Sequence, residues 1–169
     1  QLRSEIRRRE HTELELQGSE HRFALAFKAA AIPMGIMHAS SRVYLEVNES
    51  FARLAARPRE EVIGKTSNEM QLLARPEDCD NAMAEVRTKG RVRDFACRIV
   101  AMGGEIRETL ISMEPVVLGE EACLLVAVLD VTEQRKLEAQ LRQSQKMDAV
   151  GQFAAGILYH AAEICAVTD

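Results

Sequence analysis

The run VRDFACRIV (Val92 to Val100) alternates along the chain, with Phe95, Cys97 and Ile99 on one face, and ends near Gly103-Gly104. IRETLISMEPVV (Ile106 to Val117) then runs back to a second turn at Gly119, and ACLLVAVL (Ala122 to Leu129) follows without a polar residue. Period-two patterning closed by glycine pairs is the signature of hairpin-connected strands. A continuously apolar strand is the pattern of one covered on both faces at the centre of a sheet. Three strands are therefore expected here, the last of them central.

Upstream, Met34 to His38 and Val43 to Val47 flank the polar Ala39-Ser40-Ser41-Arg42 and read as another hairpin. Asn48 is a helix N-cap, with Phe51, Leu54 and Ala55 on one face of the short helix it opens. Pro58 and Gly64 bracket a single turn. Pro76 opens the strongest helix of the middle region, where Cys79, Ala82, Met83 and Val86 make an i, i+3, i+4, i+7 stripe ended by Gly90. Two strands, several short helices and three strands make an α+β domain with an antiparallel sheet.

The two ends read as helices. From Gln1 to about His21 the chain alternates charge around Leu2, Ile6, Leu14 and Leu16, the pattern of a solvated helix that either pairs with a partner or serves as a linker. A separate short apolar helix, Phe23 to Ala30, is expected before Pro33. After Asp130-Val131-Thr132 the chain favours helix without a proline. The short polar side chains of Asp130 and Thr132 suit a helix cap, a fixed exit angle from the last strand, or both.

Composition narrows the function. In 169 residues, 28% are charged and 47% hydrophobic, with a formal net charge of −4 from interspersed acids and bases. That leaves no basic patch for nucleic acid or an anionic membrane, and no apolar run approaches the ~20 residues of a spanning helix. The charged start is unlike a secretory leader, so the expected compartment is the cytoplasm. Cys79, Cys97, Cys123 and Cys165 lie far apart with no ligand spacing, so no metal site or disulfide framework is expected. Aromatics are 4% of the chain and Trp is absent, which disfavours a flavin pocket or a base-stacking platform. No nucleophile and base pair stands out, and no Gly-rich phosphate loop occurs.

Five pieces in order resemble one family. Ser19-Glu20-His21-Arg22-Phe23, Tyr44 to Phe51 (YLEVNESF), Arg59 to Thr66 (REEVIGKT), Arg75-Pro76-Glu77-Asp78 and Asp130 to Arg135 (DVTEQR) are similar to the PAS sensory domain of bacterial sensor histidine kinases, over about residues 19 to 136. The resemblance implies a five-stranded antiparallel sheet with short helices on one face. It places a linker or coiled-coil helix at 1–21, the PAS domain at 22–132 and a signalling helix at 133–169. The helices at both ends point to a homodimer, and the resemblance implies that Asp130, Val131 and Thr132 pass a ligand- or partner-induced change to a coiled coil that regulates a kinase. The ATP-binding domain and a response regulator would be partners in the full-length protein. A ligand-free dimerisation spacer is the alternative.

Ser144 to Ile157 resembles the start of the helix that bears the phosphorylated histidine in such kinases. The acceptor position falls on Tyr159, and His160 stands one place late; Ala161, Ala162 and Glu163 replace the usual acid-x-Asn. One residue is about 100° of rotation. His160 is thus either a displaced phosphoacceptor, with Glu163 at i+3 to hold its ring, or an ordinary residue of an altered tail. No cofactor is expected. Haem would need an axial His on the Pro76 to Gly90 helix, which has none, and a flavin-cysteine adduct would need a cysteine where Asn68-Glu69-Met70 stands. A small apolar ligand, or none, remains. Cys79 reads as a core thiol or, with a lowered pKa, as an oxidant sensor.

Overall fold

The computed structural model describes residues 2–166, in two units, 1–130 and 131–169. In the first, helix α1 (Leu2–Ala29) precedes strands β1 (Met34–His38) and β2 (Tyr44–Val47). Helices α2 (Glu49–Ala55), α3 (Arg59–Val62) and α4 (Glu77–Lys89) follow, then β3 (Val92–Val100), β4 (Ile106–Leu118) and β5 (Glu121–Asp130). The second unit is the helix α5 (Thr132–Ala166). The five strands form one antiparallel sheet ordered β2-β1-β5-β4-β3.

The α+β expectation holds, and β5 is central. Its expected cover on both faces holds only at one end. Leu124, Val126 and Val128 point into the main core beneath α2 to α4. On the opposite face Cys123 is buried in a small cluster with Phe27 of α1 and Ile36, while Leu129 at the far end is 51% exposed. A hydrophobic strand marks burial potential, and here α1 supplies only part of the cover.

The N-terminal region differs from the expected two pieces. α1 runs unbroken from Leu2 through the Phe23 to Ala29 stretch, because nothing between them stops a helix: Gly18 has no Cβ but keeps its N–H. Among its described side chains, those that face the core belong to the last turns. Phe27 is buried and stacks on Phe23 with ring centroids 6.1 Å apart.

The helices of the main core are set by caps. Asn48 accepts the Phe51 N–H at 2.9 Å and opens α2. Gly90, at φ +78°, ends α4 by donating to the Val86 carbonyl at 2.8 Å, a conformation that suits glycine. Gly35 in β1 is needed for space, since a Cβ there would lie 3.1 Å from Tyr44 Cε1 and 3.2 Å from Val47 Cγ1. Pro115 in β4 lies past the last β3–β4 pair, Val92↔Met113, where β3 has ended and no ladder bond to it is lost.

Each sheet edge is covered at one end. Along β2, Tyr44 donates to the Lys65 carbonyl and accepts from the Gly64 N–H. Along β3, Ala74 donates to Arg98 and Val100 donates to Leu72. Arg59 of α3 grips Glu46 of β2 with both carboxylate oxygens within 2.7 Å. These contacts occupy backbone groups that would otherwise template another strand.

Candidate functional site

Between the sheet and α4 lies a small cavity of about 20 Å³. Its walls are apolar except at three places: the Tyr44 and Ser67 hydroxyls, the Asp78 carboxylate, and the Cys79 and Cys97 thiols. A space of this size holds about one water. Tyr44 Oη and Ser67 Oγ are 3.2 Å apart, which satisfies both buried hydroxyls, and the Tyr44 ring packs on Phe51 with centroids 5.2 Å apart. Asp78 is buried, and Arg75 reaches it from the loop before α4. Its Nε donates to Oδ2 at 3.2 Å, while Nη2 stands 2.9 Å from Oδ1 but off the hydrogen-bonding line, so that Oδ1 has no aligned donor.

Burial is the largest influence on the Tyr44 phenol. It pushes the Tyr44 hydroxyl up to about 12, against an opposing pull from Ser67. A raised acid pKa means that the folded state favours the neutral phenol. The stability this contributes is complete below the unfolded value of about 10 and is lost as pH rises through 12. In a Tyr159→Phe chain, which leaves Tyr44 as the one tyrosine, absorbance at 295 nm is expected to show ionisation only near pH 12, together with unfolding; ionisation near 10 in the still-folded variant would contradict the burial of Tyr44.

The low-pKa reading of Cys79 is corrected. Burial raises this thiol, more than the nearby Arg42 guanidinium lowers it, and burial likewise raises Cys97 and Cys123. All three are free and buried, as expected of core cysteines; Cys165 lies among residues whose side chains are outside the described set. Among the described residues no cluster of His, Cys, Asp or Glu is placed to hold a metal. His38 is half-buried at the end of β1, where its Nδ1 accepts from the Ser41 N–H at 3.3 Å and lies 3.1 Å from Ser40 Oγ.

The proposed transmission residues stand in a row at the exit of the sheet. Asp130 is the last residue of β5, and Arg107 of β4 donates to its Oδ2 at 3.2 Å while also donating to Glu105 at 3.0 Å. Val131 follows, its carbonyl accepting the Arg135 N–H at 2.9 Å, and Thr132 is the first residue of α5. The sheet therefore ends on an anchored carboxylate one residue before a helix of 35 residues.

At the entrance, sequence reasoning missed the larger role of Asn48. Besides capping α2, its Oδ1 accepts from Met34 N at 3.0 Å. Its Nδ2 faces the carbonyls of Phe27, Ala30 and Ile32 at 3.1, 3.4 and 2.9 Å. Ser50 Oγ donates to the Ala30 carbonyl at 2.8 Å as well. One amide thus joins the end of α1, the following loop, β1 and α2. The cap motif announced only one of these bonds, because the other partners are backbone groups 14 to 21 residues away.

Along α5, the described residues from Glu133 to His160 are all exposed. The helix is unbroken through Tyr159 and His160, so the displaced histidine is not brought into the Tyr159 position by a bulge, and the two residues face different directions. The Glu163 side chain, expected beside His160, lies outside the described residues. No described helix is long and apolar enough to cross a membrane.

Comparison with known proteins agrees with this architecture. The sensor kinase CckA of Brucella abortus (strain 2308) is 45% identical over 64 residues, which are 36% of this chain and 7% of that protein; the chain therefore spans only a small part of this relative. A PAS domain from a two-component sensor histidine kinase superposes with a TM-score of 0.55 at 18% identity, covering 70% of this chain and 98% of that one. The PAS domain of an HTR-like protein from Haloarcula marismortui gives 0.58 at 18% identity, covering 72% and 98%. An RNA-binding light-oxygen-voltage receptor gives 0.61 at 21% identity, covering 75% of this chain and 37% of its own. The family described as PAS fold matches residues 31–136, more than half of the sequence and the whole five-stranded sheet, and the chain belongs to that family.

Proposed function

We propose that the chain is the signal-input module of a cytoplasmic two-component sensor histidine kinase. A ligand or partner shifts the sheet, and Asp130, Val131 and Thr132 hand the shift to a helical dimer that sets kinase output. The observation that carries this reading is the Arg107–Asp130 pair, which anchors the end of the central strand immediately before α5. A sensor kinase as relative supplies the context. The ATP-binding domain and the response regulator belong to the full-length protein.

Helix α5 supports the dimer. Met147, Val150, Ala154 and Ile157 follow a 3-4-3 spacing, and Met147, Val150 and Ile157 are each more than half exposed. Such a seam on an exposed helix is what a partner helix covers. Light scattering is expected to report a dimer at tens of micromolar; a monomer there would remove the helical output from the reading.

His160 is the phosphoacceptor candidate. In that role an imidazole nitrogen attacks the ATP γ-phosphorus, the bond to the β–γ bridging oxygen breaks, and ADP leaves. Incubated with ATP and an intact kinase partner, the chain is expected to gain one phosphoryl group that His160→Gln loses; equal labelling of both would take His160 out of the mechanism.

A ligand-free spacer is the second reading, favoured by the water-sized cavity. Native mass spectrometry with an absorbance spectrum separates the two: a retained small molecule supports the sensor, and bare chain mass with ligand titrations that leave the thermal midpoint unmoved supports the spacer.

A further inference from the structure

One contact ties the sheet to the wall of the core cavity. Asp78, Cys79 and Ala82 line that cavity from the start of α4. Arg42, in the turn between β1 and β2, reaches across to this helix. Its Nη1 donates to Asp80 Oδ1 at 2.5 Å and stands 4.0 Å from the Cys79 sulfur. Arg42 holds this position with φ at +61°, a left-handed conformation that L-residues avoid. The neighbouring Arg75–Asp78 pair is local to the helix end and does not reach the sheet.

We propose that Arg42 and Asp80 form a latch over the core cavity. Closed, it keeps the first turns of α4 against the sheet and the cavity at the size of a water. Open, it lets that end of α4 lift and admits a small apolar molecule among Met37, Met113, Phe95 and Ile99. This deepens the sensory reading and rests on it for the ligand, although the gate itself is measurable without one.

The pair is partly solvated, with side-chain exposures of 30% and 66%, so the latch is weak and sensitive to salt. A weak latch suits a gate, because a modest differential affinity of the ligand for the open form then shifts its population. Cys79 would be a poor reporter, since removing Arg42 changes the electrostatics at its sulfur. Cys97 lines the same cavity from β3, bonded to Thr109 and not to Arg42. Cys123 is buried in the cluster on the other face of the sheet and reports global opening.

The test is methyl methanethiosulfonate labelling of the full chain under native conditions, read peptide by peptide by mass spectrometry. Arg42→Gln and Asp80→Asn are each expected to speed Cys97 labelling about fivefold, equivalent to about 1 kcal/mol at 1.4 kcal/mol per tenfold. Cys123 should stay at its original rate. The double variant should be no faster than either single one, and Arg42→Asp combined with Asp80→Arg should slow labelling back toward the original. Molar salt should speed the unmodified chain and leave Arg42→Gln unmoved. Unchanged Cys97 labelling in both single variants, or a parallel rise at Cys97 and Cys123, overturns the latch. A ligand search that finds nothing, with Cys97 labelling still latch-dependent, overturns the small-molecule form of the sensory reading and leaves the gate standing.

Discussion

Asn48→Ala is expected to destabilise the chain by about 3 kcal/mol or more, the largest loss from any single polar side chain. Truncation removes the α2 cap, worth about 1 kcal/mol. It also takes the shared amide from Met34 N–H and the carbonyls of Phe27 and Ile32, while the Ala30 carbonyl keeps its bond from Ser50 Oγ. A buried group left unsatisfied costs about 1–3 kcal/mol, and water reaching the half-buried loop offsets part of the sum. Asn48→Asp keeps the acceptor for Met34 and Phe51 but presents a carboxylate to three carbonyl oxygens, so it should recover little of the loss. Urea unfolding followed by circular dichroism measures both variants. A loss below about 1 kcal/mol for Asn48→Ala would show that the joint at the end of α1 does not depend on this amide.

Phe51→Ala is the second large effect. Phe51 is 1% exposed, lines the cavity and packs on Tyr44. Phenylalanine truncations in cores cost about 3–5 kcal/mol, combining lost transfer free energy with the void left behind. Here the void would join the existing space beneath α4 and form an apolar pocket large enough for a benzene-sized molecule. Saturating benzene should therefore raise the melting temperature of Phe51→Ala and leave the unmodified chain unmoved, because only a ligand that binds the folded state stabilises it. If the variant loses less than about 1.5 kcal/mol, or benzene fails to raise its melting temperature, the core has collapsed around the truncation and the cavity wall is softer than described.

The sheet was legible because its signals are local and repeated. Val92 to Leu129 carries alternation, two glycine turns and a polar stop at Asp130, and each of the three strands appears within a residue or two of its expected bounds. The stripe Cys79, Ala82, Met83 and Val86 likewise marks α4 between a proline and a glycine. What the sequence concealed depends on contacts between distant segments. Leu129 looks as apolar as Val128, yet only the latter is buried, since the cover on the outer face comes from Phe27 and stops short. Cys79 combines a helix start with a nearby cation, both of which lower a thiol pKa, but the burial that reverses the outcome depends on the tertiary fold. Arg42 sits in a polar turn that reads as solvent-facing, and its partner lies 38 residues away on another element.

The position of β1 beside β5 has a consequence for how such a chain evolves. Met34, the first residue of the sheet, pairs with Ala127, three residues before the sheet ends at Asp130. At about 3.4 Å per residue the chain enters and leaves the sheet within roughly 10 Å along the strand direction. A domain whose two ends meet can be spliced into a host polypeptide, duplicated in tandem or exchanged for another of its kind without rerouting the flanking segments. Recombination can then replace the sheet and its core while the flanking segments keep their connections.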